Sequence, residues 1–187
     1  MQLTPRSKFL LLIGVFVVPV VAAYLAFFGW RPAGHTNYGH LLQATPLQHT
    51  VGQTLEGKPF NLDALGGKWV MAYVGESRCA ADCVQQLYLM RQTRIAQGKG
   101  QFRIERLWVL TDPGAPDAAL LRDHAGLHVW RPAAAGFIEQ FPAEINRAGH
   151  IYLVDPLGNL MLRFPAQPDP KGMMKDLKLL LKASQVG

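Results

Sequence analysis

Cys79 and Cys83 are the residues whose type and spacing could most directly do chemistry. They are the only cysteines among 187 residues, and they lie four positions apart. The apolar run 68–75 before them predicts a buried strand that ends in a glycine turn, and residues 84–97 after them have a helical pattern. A thiol at such a junction has a lowered pKa, because the helix N-terminus favours the thiolate. The pair can therefore exchange electrons as a dithiol and disulfide, or bind a soft metal ion.

The spacing sets conditions on each kind of chemistry. On an ideal helix, residues four apart have Cβ atoms about 5–6 Å from each other, whereas a disulfide needs about 3.5–4.5 Å. A disulfide therefore requires Cys79 to lie in the turn before the helix. Two thiolates alone can hold copper(I), while copper(II) normally also needs a nitrogen ligand. A purely structural disulfide in an exported protein is the remaining alternative, although closing so short a loop stabilises little.

The uncharged apolar run 9–28 predicts a transmembrane helix. As a helix it is about 30 Å long, which matches the hydrocarbon core of a lipid bilayer. Arg6 and Lys8 precede it, and basic residues favour the cytoplasmic side. We therefore expect residues 1–8 in the cytoplasm and the rest of the chain exported. A cleaved signal peptide is the alternative, but its apolar core is shorter, and Val21–Ala23 is a poor cleavage site.

Residues 29–49 are rich in proline and glycine and predict a tether. Three histidines lie in this segment, His35, His40 and His49, but their spacing does not repeat a metal-ligand pattern. We expect them to be solvated. The globular domain is expected to occupy residues 50–187.

The globular part alternates between strand and helix patterns. A small hairpin is predicted at 57–62. Core strands are predicted at 69–74, 104–110, 127–130 (a short edge strand), 151–154 and 159–164, and helices at 84–97, 116–125, 133–141 and 171–182. Alternation predicts parallel strands in the first half, and the late hairpin adds antiparallel ones. This order predicts an α/β, thioredoxin-like fold: a central mixed sheet flanked by helices, with the cysteines at the C-terminal end of a central strand.

Two of the predicted helices show apolar series at steps of three and four residues. In the first helix the series is Val84, Leu87, Tyr88, Arg91 and Ile95; in the last, the residues expected to point inward are Met174, Leu177, Leu180 and Leu181. The lysines of the last helix, like the rest of the formal charge of +6, are expected to be solvated. No nucleic-acid-binding motif is present, so nucleic acid is not an expected partner.

Several segments resemble the SCO/SenC branch of the thioredoxin superfamily. Three stretches carry the resemblance: Tyr73–Cys79 followed by Cys83, Val109–Pro113, which resembles the family's V-T-V-D-P strand end, and Ile151–Gly158, which resembles its I-Y-L-I-D-P-x-G hairpin. Gly66–Val70 and the closing helix agree as well. The similarity extends over residues 50–183, and a membrane anchor also fits the family.

The resemblance implies a role in cytochrome c oxidase assembly. Family members sit in bacterial or mitochondrial inner membranes, where they deliver copper to the oxidase or keep its copper-site cysteines reduced. Copper is held there by both cysteines and one histidine. By resemblance we predict Cys79 and Cys83 as redox pair and copper ligands, with an oxidase subunit or its copper-site cysteines as partner. The predicted location is the bacterial inner membrane, with the C-terminal domain in the periplasm.

The sequence departs from the family at the third copper ligand. The family histidine lies four residues before the I-Y-L-I-D strand, where this chain has Arg147, and the family proline after the second cysteine is replaced by Val84. His150 is retained as a candidate ligand because Gly149 lets a loop shift the register, although an odd offset along a strand turns a side chain to the other face. The missing histidine favours thiol–disulfide exchange or weak copper(I) binding over a full copper(II) site.

Three functions stay open at this point. The first is an SCO-type assembly factor that acts through Cys79 and Cys83. The second is a general membrane-tethered thiol–disulfide oxidoreductase without metal, and the third is a non-catalytic module that binds the oxidase. A peroxidase is disfavoured, since Glu76 stands three residues before Cys79, where peroxiredoxins place a threonine.

Overall fold

A computed structural model of the chain describes residues 4–29, 37–134, 136–142 and 146–184. The chain divides into two compact units, Met1–Thr36 and Asn37–Gly187. In the first unit, helix α1 (Pro5–Gly29) is long and apolar enough to cross a bilayer. The predicted N-terminal apolar helix is thus confirmed, with its start at Pro5 rather than at residue 9.

The described residues of the second unit form a mixed sheet of eight strands with helices packed on it. The strands are β1 (His40–Pro46), β2 (Gly52–Thr54), β3 (Pro59–Phe60), β4 (Trp69–Gly75), β5 (Ile104–Leu110), β6 (Leu127–Pro132), β7 (Ile151–Val154) and β8 (Asn159–Arg163). The helices are α2 (Ala81–Ala96), α3 (Ala118–Asp123), α4 (Gly136–Glu139) and α5 (Pro170–Ala183). Across the sheet the strands follow the order β1-β8-β7-β4-β5-β6-β2-β3.

Strand β4 lies near the centre of this sheet and leads to the cysteines. It pairs in parallel with β5, with Gly75 opposite Leu110, and antiparallel with β7, with Tyr73 opposite Ile151. Strands β7 and β8 form the predicted late hairpin. All seven residues of β4 are buried, because helices and loops cover both faces of the sheet. The predicted central mixed sheet flanked by helices is confirmed.

Two apolar clusters lie on the two faces of the sheet. On one face Met71 and Tyr73 pack with residues of α2 and α5. On the other face Val70, Ala72 and Val74 pack with aromatic side chains that include Phe137 and Phe141. Burial of each large apolar side chain contributes about 1.5–3 kcal/mol, so β4 is held firmly from both sides. The end of β4 is therefore a rigid support for the cysteines.

Part of the segment predicted as a tether, 29–49, forms strand β1 and belongs to the sheet. Residues 40–46 pair antiparallel with β8, with His40 opposite Arg163. The segment is anchored just before β1, where the buried carboxylate of Asp176 accepts hydrogen bonds from the N–H groups of Tyr38 (3.0 Å) and Gly39 (2.8 Å). Most side chains of β1 are exposed, so the strand has no alternating apolar pattern to reveal it. Residues 30–36, which include His35, lie outside the described residues.

The buried face of helix α2 differs from the apolar series predicted for this helix. It begins at Ala81, so Cys83 lies in its first turn. Val84, Tyr88 and Ile95, which share the predicted series, are 41%, 48% and 48% exposed. The buried face is formed by Cys83, Gln86, Leu87, Leu89, Met90 and Thr93. Of the predicted series, only Leu87 belongs to this face. The helix carries two overlapping series at steps of three and four residues, and packing against the sheet decides which one is buried.

Other elements differ more modestly from the prediction. Helix α5 buries Met173, Leu177 and Leu181, whereas Met174 and Leu180 are only half-buried. Strand β6 is not an edge strand, because β2 pairs with its outer side. A small hairpin is present as predicted, but it pairs β2 with β3 over residues 52–60 rather than 57–62.

The two short helices differ from the prediction in length. Helix α3 begins after Asp117, whose carboxylate accepts hydrogen bonds from the N–H groups of Ala119 and Leu120 and so fixes its first turn. Helix α4 is shorter than the predicted 133–141, within which Ala135 lies outside the described residues.

Candidate redox site

Cys79 and Cys83 form a disulfide at the C-terminal end of β4, with 5.1 Å between their Cα atoms. Cys79 lies in the turn before α2, and Cys83 lies on the helix. This is the placement that the four-residue spacing requires for a bond. Cys83 is 5% exposed, while Cys79 is only partly buried. A thiol or disulfide from solvent therefore reaches Cys79 first.

The end of β4 and the start of α2 set the electrostatics of the pair. A Cβ at Gly75 would lie 2.8 Å from the Tyr73 hydroxyl oxygen, so only glycine fits there. The N-cap of α2 is Ala80, which has no side chain to bond the helix N-terminus. The N–H groups of the first turn therefore keep their partial positive charge for a thiolate. In the reduced protein this favours ionisation of the cysteines.

A hydrogen-bond network holds the loop that leads into Cys79. Asp112, which follows β5, accepts from the N–H of Ser77 (2.7 Å) and from its hydroxyl (2.6 Å). Arg131 donates to the carbonyl oxygens of Asp112 (2.8 Å) and Gly114 (2.6 Å). Burial alone would raise the pKa of Asp112, but the hydrogen bonds from Ser77 outweigh it and hold that pKa below its ordinary value. Asp112 therefore acts as a charged anchor.

A groove of about 600 Å³ opens beside Cys79, between the loop before α2 and the segment that enters α3. Its lining combines apolar and charged groups: Ser77, Arg78, Cys79, Val84, Gly114, Ala115, Asp117 and Leu120. Arg78 is exposed and forms no ion pair with any carboxylate of the described residues. The groove is thus an open approach to the accessible sulfur, with a positive charge beside it.

Tyr73 lies beneath the pair in the same apolar cluster as Cys83. Burial, assisted by the negative charges of Asp82 and Glu76, raises the pKa of Tyr73 to about 12. The phenol therefore stays protonated at neutral pH, which excludes it as a base for thiol ionisation. Its role is to pack the floor of the site.

His150 stands at the entry to β7. Its Nδ1 atom lies 2.8 Å from the carbonyl oxygen of Phe164. The preceding turn, Arg147–Gly149, packs beside α2, and Gln86 donates to the carbonyl oxygen of Gly149 (3.3 Å). Arg147, at the position of the family histidine, donates instead to the carbonyl oxygen of Phe141 (2.8 Å). Arg147 is therefore engaged by the main chain of Phe141, and no histidine stands at this position of the turn.

The described residues contain no group of three or more histidine, cysteine, aspartate or glutamate side chains that could hold a metal ion. His150 therefore does not join Cys79 and Cys83 in such a group, and its ligand role stays a prediction. The remaining donor set is two sulfurs. In the reduced state these fit two-coordinate copper(I), but they do not make the three-ligand site that copper(II) requires.

The Ser77–Asp112 anchor was not predicted from the sequence. In the sequence, Asp112 stands out only as part of Val109–Pro113, the stretch that resembles the family's strand end. Its position directly after a buried parallel strand was a signal, since loops at this edge of a sheet commonly surround the functional site. The identity of its partner, 35 residues away, had no local signature.

Comparison with known proteins supports this arrangement. Residues 69–184 match the family described as transmembrane-like, thioredoxin-like, C-terminal domain. No curated protein sequence matches the chain.

Among solved structures, the apo Sco1 protein from Thermus thermophilus is 21% identical (TM-score 0.60) and aligns over 79% of this chain and 99% of its own. Copper-bound ScoI from Bradyrhizobium japonicum is 18% identical (TM-score 0.55) and aligns over 72% and 99%. BsSco, described as a cytochrome c oxidase assembly protein of the Sco family with a disulfide switch, is 15% identical (TM-score 0.56) and aligns over 75% and 96%. The predicted thioredoxin-like fold and the resemblance to SCO/SenC proteins are confirmed, and at these identities the similarity concerns the fold.

Proposed function

Since the chain belongs to the family of transmembrane-like, thioredoxin-like C-terminal domains, we propose that it is a membrane-anchored protein that performs thiol–disulfide exchange through Cys79 and Cys83. One observation carries the proposal: the pair forms a disulfide with one accessible and one buried sulfur at a helix N-terminus. A purely structural disulfide does not require an accessible sulfur, whereas Cys79 lines an open groove. The rigid strand β4 and the Ser77–Asp112 anchor keep that sulfur in place.

The exchange proceeds in two balanced steps. In the reduced protein the Cys79 thiolate attacks one sulfur of a partner disulfide; an S–S bond to Cys79 forms, and the partner's second sulfur leaves as a thiolate. The Cys83 thiolate then attacks the Cys79 sulfur and releases the partner's first sulfur. Two electrons pass to the partner, and both its sulfurs take up protons from water. A dithiol donor regenerates the protein by the reverse reaction.

The proposed partner is a cytochrome c oxidase subunit with its copper-site cysteines. The description of BsSco as an oxidase assembly protein with a disulfide switch supports this extension. Helix α1 would serve as an uncleaved single-pass anchor in the bacterial inner membrane, with the N-terminus in the cytoplasm. The globular domain would then lie in the periplasm, where disulfides persist.

Copper(I) handling is a second candidate role, favoured by the copper bound to ScoI from Bradyrhizobium japonicum. The thiolates of Cys79 and Cys83 would hold the ion as cargo for the oxidase. The donor set fits copper(I), and the absence of a third grouped ligand within the described residues makes the proposed site an open one. An open site would favour transfer of the ion over storage.

The test uses the full-length protein in lipid nanodiscs. The reduced protein is mixed with an oxidised peptide that contains the two copper-site cysteines of an oxidase subunit, and the thiols released on the peptide are measured. We expect stoichiometric reduction by the wild type and none by Cys79→Ser. If the Cys79→Ser, Cys83→Ser double variant supports oxidase assembly as well as the wild type, both the exchange and the copper proposals fail, and a non-catalytic binding module remains.

A further inference from the structure

Helix α2 carries a row of exposed side chains that the core does not use. Val84, Tyr88, Arg91 and Ile95 follow one another at steps of four, three and four residues, which places them in one line along the helix. All four are exposed. Single exposed apolar side chains are ordinary, but a contiguous row beside a reactive group is typical of an interaction surface. We name this row the α2 stripe.

The α2 stripe begins at the redox site itself. Val84, its first member, lines the groove beside Cys79, and two further apolar side chains, Leu120 and Ala115, line the same groove. A molecule that reaches the Cys79 sulfur through this groove therefore passes over Val84. If its chain continues in the direction of the helix, it meets Tyr88 and then Arg91. From Val84 to Ile95 the stripe extends about 16 Å along the helix, the length of about five residues of an extended polypeptide.

In the part of the chain that the structure describes, this surface carries two arginines without ion-pair partners and one carboxylate, that of Asp117, which caps α3. Arg78 and Arg91 are exposed, and neither forms an ion pair with a carboxylate of the described residues. Within α2 the nearest carboxylate to the stripe is that of Asp82, which lies two residues before Val84 and so points to the other side of the helix. An acidic side chain on a partner would complement the stripe.

We propose that the α2 stripe is the docking surface for the redox partner, and that the partner presents a disulfide followed by apolar side chains and a carboxylate. The proposal rests on the exchange function stated above and adds the surface, beyond Cys79 itself, on which a polypeptide partner binds. The segment places its sulfur at Cys79, its apolar side chains on Val84 and Tyr88, and its carboxylate at Arg91.

The test compares two substrates of the reduced full-length protein in phosphatidylcholine nanodiscs. One is a synthetic peptide disulfide whose cysteines are followed by two leucines and a glutamate, and the other is glutathione disulfide. The measured quantity is the ratio of the two second-order rate constants. In Tyr88→Glu we expect this ratio to fall about tenfold, because a buried apolar contact becomes a desolvated charge. The matched control Leu157→Glu changes an 81% exposed residue in the turn after β7, at the opposite end of the sheet, and leaves the ratio unchanged.

A charge exchange tests the pairing directly. Arg91→Glu lowers the rate with the glutamate peptide, and a peptide with lysine in that position restores it. An unchanged ratio in Tyr88→Glu, together with no restoration by the lysine peptide, overturns the docking surface while the exchange function stands. If the wild type reduces neither substrate, the exchange function itself fails. The two failures are therefore distinguishable.

Further measurements test two other occupants of the α2 stripe: a second copy of this chain and the lipid bilayer. If Tyr88→Glu converts a dimer into a monomer in analytical ultracentrifugation, the stripe is a contact between copies of this chain, and the proposal is wrong. If brominated lipids quench a tryptophan placed by Tyr88→Trp beyond the quenching of the wild type, the stripe lies on lipid, and the proposal is equally wrong. A monomer without added quenching, combined with the lowered ratio, supports the docking surface.

Discussion

The carboxylate of Asp112 holds Ser77 by two hydrogen bonds, one from its N–H at 2.7 Å and one from its hydroxyl at 2.6 Å. The contact joins the loop after β5 to the loop between β4 and Cys79. A Cβ at Gly114 would collide with the Ser77 hydroxyl, so the glycine leaves the space that the contact needs. The backbone two residues before the reactive sulfur is therefore fixed by a partner in the loop that follows the neighbouring strand β5.

Ser77→Ala tests this contact. The loss of the hydroxyl bond to a charged acceptor is expected to lower the free energy of unfolding by about 1 kcal/mol, since the site is partly solvated. It should also slow the reaction of Cys79 with glutathione disulfide, because the loop loses part of its restraint. Urea denaturation of the full-length protein and stopped-flow kinetics measure the two effects. Thr111→Ala, at an exposed neighbour, is the control, and equal behaviour of the two variants would refute the role of the contact.

The sequence predicts those parts of the fold that depend on a local pattern of apolar residues and turns. The buried run of β4, the turn and the helical pattern of α2 are contiguous, so the position of Cys79 and Cys83 at this junction could be inferred. Strands β5 and β7 were predicted at their observed limits, Ile104–Leu110 and Ile151–Val154, because their apolar runs are unbroken.

What the sequence did not predict depends on contacts between distant segments. Strand β1 has exposed side chains, and it is held by main-chain pairing with β8 and by Asp176. Two faces of α2 have comparable apolar series, and packing against the sheet buries the one with Leu89 and Met90. A polar residue such as Asp176 is assigned to the surface by pattern alone, and its burial follows only from the two N–H groups that it binds.

Cys83→Ser and Cys79→Ser are expected to give different products when they react with a disulfide. In Cys83→Ser, the accessible Cys79 thiolate still attacks a disulfide, but no second thiol resolves the product, so a mixed disulfide accumulates. In Cys79→Ser, the remaining sulfur is buried and reacts slowly. Mass spectrometry after incubation with glutathione disulfide should show a glutathione adduct in the first variant and little in the second. The reverse pattern would mean that Cys83 is the attacking residue.

Asp176→Asn tests the anchor of the segment before β1. The buried carboxylate accepts from two main-chain N–H groups, and an amide can accept with only one of its two groups. We expect a loss of about 1–3 kcal/mol in the free energy of unfolding. Urea denaturation measures it, with the exposed neighbour Lys175→Ala as control. If both variants unfold at the same urea concentration, Asp176 does not anchor Tyr38 and Gly39.

His124 is expected to make the stability depend on pH. Burial, followed by the charges of Arg106 and Arg91, lowers the pKa of His124 below its ordinary value of 6.5, and Asp123 opposes this only weakly. The unfolded chain therefore binds the proton more readily than the folded one. The contribution of His124 to the free energy of unfolding is fully present above about pH 6.5 and decreases as the pH falls below that value. It levels off once the pH is below the pKa of His124 in the folded protein. His124→Gln should flatten this loss in thermal unfolding measured from about pH 8 to about pH 5. An identical pH dependence in wild type and variant would exclude His124 as its source.

Copper(I) binding should depend on the two cysteines and not on His150. Reduced wild-type protein loaded without oxygen is expected to hold about one copper(I) per chain, because two thiolates satisfy this ion. The Cys79→Ser, Cys83→Ser double variant should hold none. His150→Ala should bind as tightly as the wild type, because His150 does not join the cysteines in a group of ligands within the described residues, and its Nδ1 lies against the carbonyl oxygen of Phe164. Competition with a copper(I) chelator measures the affinity. A tenfold weaker competition by His150→Ala, about 1.4 kcal/mol, would instead make His150 the third ligand and would require the entry to β7 to rearrange when the pair is reduced.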